Sequence, residues 1–174
     1  MTLPVRTARA RPASASFAAT AEQHLDDVYG YLVYLTRDAS LAEDLTAETF
    51  EKALKLWRRF DPRRASARTW LCQIARTTAL DWFRAEERRR RREERAATPE
   101  RVDLAVTEGL SPELEAALAS LSAGEREVIA LRVLLELDGD EAARVLGASP
   151  TAVSTRLSRA LKKLEERMSA HVAV

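Results

Sequence analysis

Cysteine is nearly missing from this chain of 174 residues, and Cys72, the single one present, can form neither an intrachain disulfide nor a cysteine-based zinc site. Its neighbours Trp70, Leu71 and Ile74 mark it as a core residue rather than a redox sensor. Histidine is as scarce: His24 and His171 lie near opposite ends, and no glycine-rich phosphate loop, nucleophile elbow or ligand cluster accompanies them. No catalytic apparatus is visible. The sequence therefore predicts no enzyme, no cofactor, no metal and no small-molecule substrate.

Glycine and proline are also few, 5 and 6 residues, against abundant Ala, Leu, Arg and Glu, the residues that lose least on entering a helix. With 46% hydrophobic residues the chain can bury a real core, so an all-α fold is expected. No apolar run is long enough to span a bilayer, and residues 1–16, with Arg6, Arg9 and Arg11, lack the apolar stretch of a signal peptide. A cytoplasmic protein without membrane insertion follows as the expectation, with residues 1–16 as a disordered basic arm. Net charge is near zero, +1 from 28 basic and 27 acidic residues, so the location of charge matters more than its sum.

Helical periodicity begins at Phe17, where Leu25, Val28, Tyr29, Leu32 and Leu35 share one face. Residues 37–40 interrupt it. Ser40 and Glu43 read as a capping box for a second helix carrying Leu41, Leu45, Phe50, Ala53, Leu54 and Trp57 and ending near Phe60. After the turn-like stretch Asp61 to Ser66, Thr69 to Arg95 reads as one helix, with Trp70, Ile74, Leu80 and Phe83 available for packing. The arginines at 84 and 88–92 then replace any apolar face. The first domain is thus three helices over 17–95, and residues 96–110, with Pro99 and Gly109, form a flexible linker.

A second small helical domain spans 111–168, leaving 169–174 as a tail. Ser111-Pro112 supplies an N-cap and a first-turn proline for a helix burying Leu114, Ala117, Leu118 and Leu121. Ser122 with Glu125 caps a helix containing Val128, Ile129, Leu131 and Val133, and Asp138 with Glu141 caps the next. Gly147 ends that helix in a left-handed residue, and Ser149-Pro150 opens the last. Helix, glycine turn and helix in this order form a helix-turn-helix.

In the final helix Val153, Leu157, Ala160, Leu161 and Leu164 share one face, while Thr151, Thr155, Arg159 and Lys162 lie near the opposite one. Ser149 to Lys163 contains Arg156, Arg159, Lys162 and Lys163 and no acid, which suits a DNA major groove. Arginines there can bond guanine edges or phosphates, and Ser154, Thr155 and Ser158 can reach bases or phosphates. The arginine-rich stretch from Arg84 to Arg95, extending a helix that carries Trp70, Trp82 and Phe83, fits a surface that tracks phosphates beside aromatic rings. It fits an exposed helix end balanced by glutamates as well. Asp44, Glu48 and Glu51 form an acidic stripe without a nearby histidine, read as a solvated or protein-docking face rather than a metal site.

Three segments in register resemble the extracytoplasmic-function (ECF) group of bacterial sigma factors. Ala42 to Phe50 (AEDLTAETF) is similar to that family's core-polymerase-binding helix, Arg68 to Arg76 (RTWLCQIAR) to its promoter-opening helix, and Leu121 to Arg132 (LSAGEREVIALR) to the start of its C-terminal domain. The resemblance covers roughly 17–168. It implies that Asp44, Leu45, Glu48, Phe50 and Glu51 dock on RNA polymerase core. Trp57, Arg58, Arg59, Arg68, Trp70, Arg76 and Arg84 would hold the separated minus-ten strand. Thr151, Ser154, Thr155, Arg156, Ser158 and Arg159 would read the minus-thirty-five element. It further implies partnership with core polymerase, promoter DNA and an anti-sigma factor.

The chain departs from the family's pattern chiefly at contact positions. Ala47 stands where Gln is frequent, Thr77 where Asn is, and Ala67 where an aromatic is, while Ser154 and Ser158 replace larger side chains, so promoter preference cannot be copied from relatives. Ala142 replaces a usual Ile in the scaffold helix. Two other readings stay open on the residues alone. A stand-alone helix-turn-helix regulator predicts a homodimer on an inverted repeat. A protein-binding helical adaptor predicts no salt-dependent DNA affinity.

Overall fold

The computed structural model describes residues 16–93 and 111–172, so residues 1–15 of the arm, residues 94–95, the linker and the last two residues lie outside the described part. Every regular element within it is helical. The N-terminal unit comprises α1 (Phe17–Thr36), α2 (Ala39–Leu56) with a single 3-10 turn at Trp57–Arg59, and α3 (Ala67–Glu93). Each of its helices packs on the other two. Val28, Tyr31, Leu32, Leu45, Ala53, Leu71, Cys72, Ala75 and Ala79 are buried between them.

Ser16 caps α1 by accepting from the Ala19 N–H, and Arg37 (φ 57°) ends it in a left-handed residue whose N–H bonds Val33 O. The α2 cap differs from expectation. Asp38, in extended conformation, accepts from the Leu41 N–H, and Ser40 lies inside the helix. The left-handed Arg37 turns the chain so that Asp38, not Ser40, faces the free N–H groups, and Thr36 Oγ1 accepts from the Asp38 N–H at 3.2 Å.

The C-terminal unit comprises α4 (Pro112–Ala119), α5 (Ala123–Ile129), α6 (Gly139–Leu146) and α7 (Pro150–Val172). α4, α5 and α6 all pack on α7. Ser111 caps α4, the Ser122–Glu125 and Asp138–Glu141 capping boxes both form, Gly147 takes φ 62°, and Ser149 Oγ accepts from Ala152 N–H. After α5 the backbone widens into a π-helical turn, Ala130–Leu134, closed by Leu135 N–H to Ala130 O at 2.9 Å. The wider turn brings Leu135 and Leu137 into the core and leaves Val133 and Leu134 50% and 57% exposed. Leu161, read as apolar-face, is 45% exposed, while Val153 and Ala160 are buried.

The two units are packed together as well as joined in sequence. α3 lies against α6, and α1 lies against α5 and the π-turn.

Candidate nucleic-acid and polymerase interface

α2 presents Asp44, Glu48 and Glu51 to solvent, as their positions i, i+4 and i+7 require. Glu48 pairs with Lys52 at 2.7 Å and Glu51 with Lys55 at 2.6 Å. The hydrogen bond from Lys55, with its charge, holds the Glu51 carboxyl below its ordinary range. Phe50 is half-buried beside this stripe. Leu45 is 2% exposed, so its side chain anchors α2 in the core and offers no docking surface.

The turn between α2 and α3 is built on aromatic rings. Trp57 stacks on Phe60 with centroids 5.0 Å apart, Phe60 meets Trp70 at 5.1 Å, and Phe17 abuts Trp57 edge-on at 5.4 Å. Arg58 and Arg59 are exposed, and Arg68 is half-buried at the start of α3. A cleft of about 380 Å³ opens here between Arg59, Phe60, Arg64, Trp70 and Gln73, with Arg144 of α6 on its far wall. Further along α3, exposed Arg84 pairs with Asp81 at 3.1 Å, and Trp82 and Phe83 meet edge-on with more than a third of each in solvent. The arginines of 88–92 mostly face solvent, and Arg89 and Arg91 pair with Glu86 and Glu87.

α7 holds Thr151, Ser154, Thr155, Ser158 and Arg159 exposed on its outer side, opposite buried Val153 and Ala160. Arg156 is half-buried and leans on Gly124, its guanidinium within 3.7 Å of where a Cβ would stand. Thr151, Thr155, Arg156 and Arg159 line a second cleft, of about 820 Å³, whose opposite wall includes Arg76 and Glu127.

Arg76, one of the predicted DNA residues, is engaged across the two units: its Nε donates to Glu127 Oε1 at 2.7 Å. The buried Tyr31 hydroxyl donates to the same oxygen at 3.0 Å. Burial first, and the Glu127 charge second, push the Tyr31 hydroxyl well above its ordinary range, which keeps it a donor. Glu141 accepts from Thr69 Oγ1 at 2.8 Å and Ser66 Oγ at 2.9 Å. Partial burial pushes the Glu141 carboxyl up, but the bonds from Thr69, Ser66 and the Asp138 N–H outweigh it and hold the group below its ordinary range. Tyr31, Ser66, Thr69, Gln73 and Glu127 were not singled out from sequence as site residues, and Glu141 was read there only as a helix cap. Their one sequence signal is Glu127, an acid in helical line with Ala130 and Leu131.

Among the described residues no group of His, Cys, Asp or Glu is placed to hold a metal ion, and no helix is long and apolar enough to cross a membrane.

A three-helix unit with an acidic helix and an aromatic-arginine helix, followed by a helix-turn-helix unit, is the layout of an RNA polymerase sigma factor. Residues 20–89 match the family model described as Sigma-70 region 2, and residues 111–164 match that described as Sigma-70, region 4. Among similar proteins, the ECF RNA polymerase sigma factor SigX of Bacillus subtilis is 31% identical over 154 residues, covering 82% of this chain and 78% of that protein. SigC of Mycobacterium tuberculosis is 34% identical over 145 residues, covering 77% and 73%. CnrH, solved in complex with the cytosolic domain of CnrY, superposes with a TM-score of 0.64 at 27% identity over 88% of each chain. RpoE of Bartonella quintana, solved with the anti-sigma factor NepR, shares the fold, with a TM-score of 0.76 at 24% identity over 88% of this chain and 96% of that one. The chain belongs to the ECF group of sigma factors, and its function is to direct RNA polymerase to promoters at transcription initiation.

Proposed function

We propose that the chain docks on core polymerase through the exposed acidic face of α2, Asp44, Glu48 and Glu51 with Phe50 at its edge, and contacts promoter DNA through α3 and α7. The observation that carries this reading is the segregation of charge onto different helices: acid on the outside of α2, arginine and hydroxyl side chains on α7. Leu45 contributes by fixing α2, not by contact. The minus-ten strand is assigned to Trp57, Arg58, Arg59, Arg68, Trp70, Arg76 and Arg84. The minus-thirty-five element is assigned to Thr151, Ser154, Thr155, Arg156, Ser158 and Arg159. DNA opening needs no catalysis by this chain. Contacts made only with separated strands favour the open complex by their differential affinity, so binding energy shifts the equilibrium.

The chain works in the cytoplasm, where polymerase and DNA are, and, since RpoE of Bartonella quintana is solved with the anti-sigma factor NepR, a regulator of that kind is part of the proposal. The experiment is selection from a random-sequence duplex library by the chain with sigma-free core polymerase. The expected result is a two-element sequence, of which the upstream element alone is lost with Thr155→Ala/Arg159→Ala. An inverted repeat selected by the free chain as a homodimer would replace this reading with a stand-alone regulator.

A further inference from the structure

Where α1 meets α5, two tyrosines of α1 one helical turn apart, Tyr31 and Tyr34, accompany two consecutive residues of α5, Arg126 and Glu127. The two hydroxyls differ in what they bond. Tyr31 donates to Glu127 Oε1 at 3.0 Å, a carboxylate that Arg76 also holds. The Tyr34 hydroxyl and Arg126 Nε, in contrast, are both buried without a hydrogen-bond partner among the described residues. Arg126 is held in place from its other end, where Nη1 donates to the Leu121 carbonyl. Arg37, the left-handed residue that ends α1, stands three residues after Tyr34 and adds a second guanidinium. The charges of Arg126 and Arg37 both act on Tyr34, and that of Arg37 acts on Arg126. Burial first, and the Arg37 charge second, lower the Arg126 guanidinium from its ordinary value; burial raises the Tyr34 hydroxyl against the pull of both arginines, which keeps it a donor. Among the described residues no acid pairs with Arg37 or Arg126.

Buried donors in folded proteins are almost always paired, so two unpaired ones beside two like charges call for a shared acceptor that is itself negative. The donors are a phenol, the Nε edge of one guanidinium and the fork of another, carried on two elements. A carboxylate brings two oxygens in one plane and a single charge. A phosphate monoester brings three acceptor oxygens and a charge of about −1.5 to −2 at pH 7, enough to serve all three side chains and to neutralise both arginines. We propose that Tyr34, Arg37 and Arg126 form a binding site for a phosphate-type oxyanion, as the free ion or as the phosphate of a monoester, held between the end of α1 and α5 and so bridging the two units. None of the three residues is among those assigned above to polymerase or DNA, and the site does not depend on those assignments.

The test titrates the full chain with inorganic phosphate and with a nucleoside monophosphate, by calorimetry and by thermal unfolding, against chloride and acetate at the same ionic strength. One anion should bind saturably per chain, and the unfolding midpoint should rise with phosphate or monophosphate concentration but not with acetate. Loss of one charge-assisted hydrogen bond is worth about tenfold or more in affinity. Arg37→Gln and Tyr34→Phe should therefore each weaken binding at least about tenfold, while Arg167→Gln, which removes one charge at an exposed site of α7, should leave it unchanged. Tyr34→Phe also separates binding from folding. Its hydroxyl bonds nothing in the free chain, so without phosphate the variant should unfold no earlier than the wild type. Tighter binding of inorganic phosphate identifies a free ion and tighter binding of the monophosphate a monoester, and either supports the site. Binding of neither, or an equal response to acetate, overturns it. Wild-type affinity in Arg37→Gln or Tyr34→Phe would place the anion elsewhere, and a stability loss in Tyr34→Phe without phosphate would mean that the hydroxyl is already paired; each of these overturns it as well.

Discussion

Glycine to alanine is predicted to act in opposite directions at Gly30 and Gly147, and the structure fixes both signs. Gly147 sits at φ 62°, ψ 38° as the residue that ends α6, its N–H bonding back to the carbonyls of Ala143 and Arg144. No heavy atom lies within 4 Å of the position a Cβ would take, so steric overlap with the rest of the fold adds nothing and the cost of alanine is that of the left-handed backbone itself, about 1–2 kcal/mol. Gly30 lies exposed within α1, also with open space around a Cβ, and there alanine removes unfolded-state entropy and raises helix propensity, a gain of about 0.5–1 kcal/mol. In a chain of this size each kcal/mol moves the midpoint of thermal unfolding by about 2–4 °C. Thermal and urea unfolding followed by circular dichroism should therefore place Gly147→Ala below the wild type and Gly30→Ala above it. Gly147→Asn should fall between the wild type and alanine, because Asn tolerates the left-handed region. A Gly147→Ala protein as stable as the wild type would refute the assignment of that conformation to the helix-turn-helix turn.

Tyr31→Phe removes one charge-assisted hydrogen bond from nearly buried Glu127 and keeps the ring packing; urea unfolding should show a loss of about 1.5–3 kcal/mol, and a loss no larger than that of Tyr29→Phe, the same change at a half-buried tyrosine of the same helix, would contradict the contact. Burial pushes the Cys72 thiol up to about 12, and its residue is fully buried, so a thiol reagent at pH 8 should leave the native protein unmodified and react stoichiometrically in denaturant. Rapid labelling of the folded chain would mean that α3 does not pack as described.

What could be read from sequence is what depends on a few consecutive residues. Ser111-Pro112, Ser122 with Glu125, Asp138 with Glu141, Gly147 and Ser149 all act where their spacing placed them, because a cap is satisfied within one helical turn. Ser40 was read as the cap of α2, and Asp38 takes that place because of the left-handed Arg37, a backbone feature that no residue type signals. The π-turn that exposes Val133 and Leu134 arises from the demand of Leu135 and Leu137 for the core, a tertiary requirement that a 3.6-residue period cannot express. In the candidate site, the exposed acids of α2 and the outer face of α7 were legible from helical spacing. Burial of Leu45 on the same helix belongs to that spacing as well, but the family resemblance had placed it among the contacts. The bonds from α3 to Glu127 and Glu141 join residues far apart in sequence, and the spacing of neither partner encodes them.

The central claim, that the acidic face of α2 is what anchors this chain to core polymerase, is tested most directly by co-elution with sigma-free core polymerase on a sizing column, comparing the wild type with Asp44→Arg/Glu48→Arg. Both side chains are exposed and outside the core, so the variant should fold as the wild type does. The account predicts that the wild type co-elutes and the variant emerges alone at its own volume. Co-elution of the variant undiminished, or failure of the wild type to bind, would contradict it.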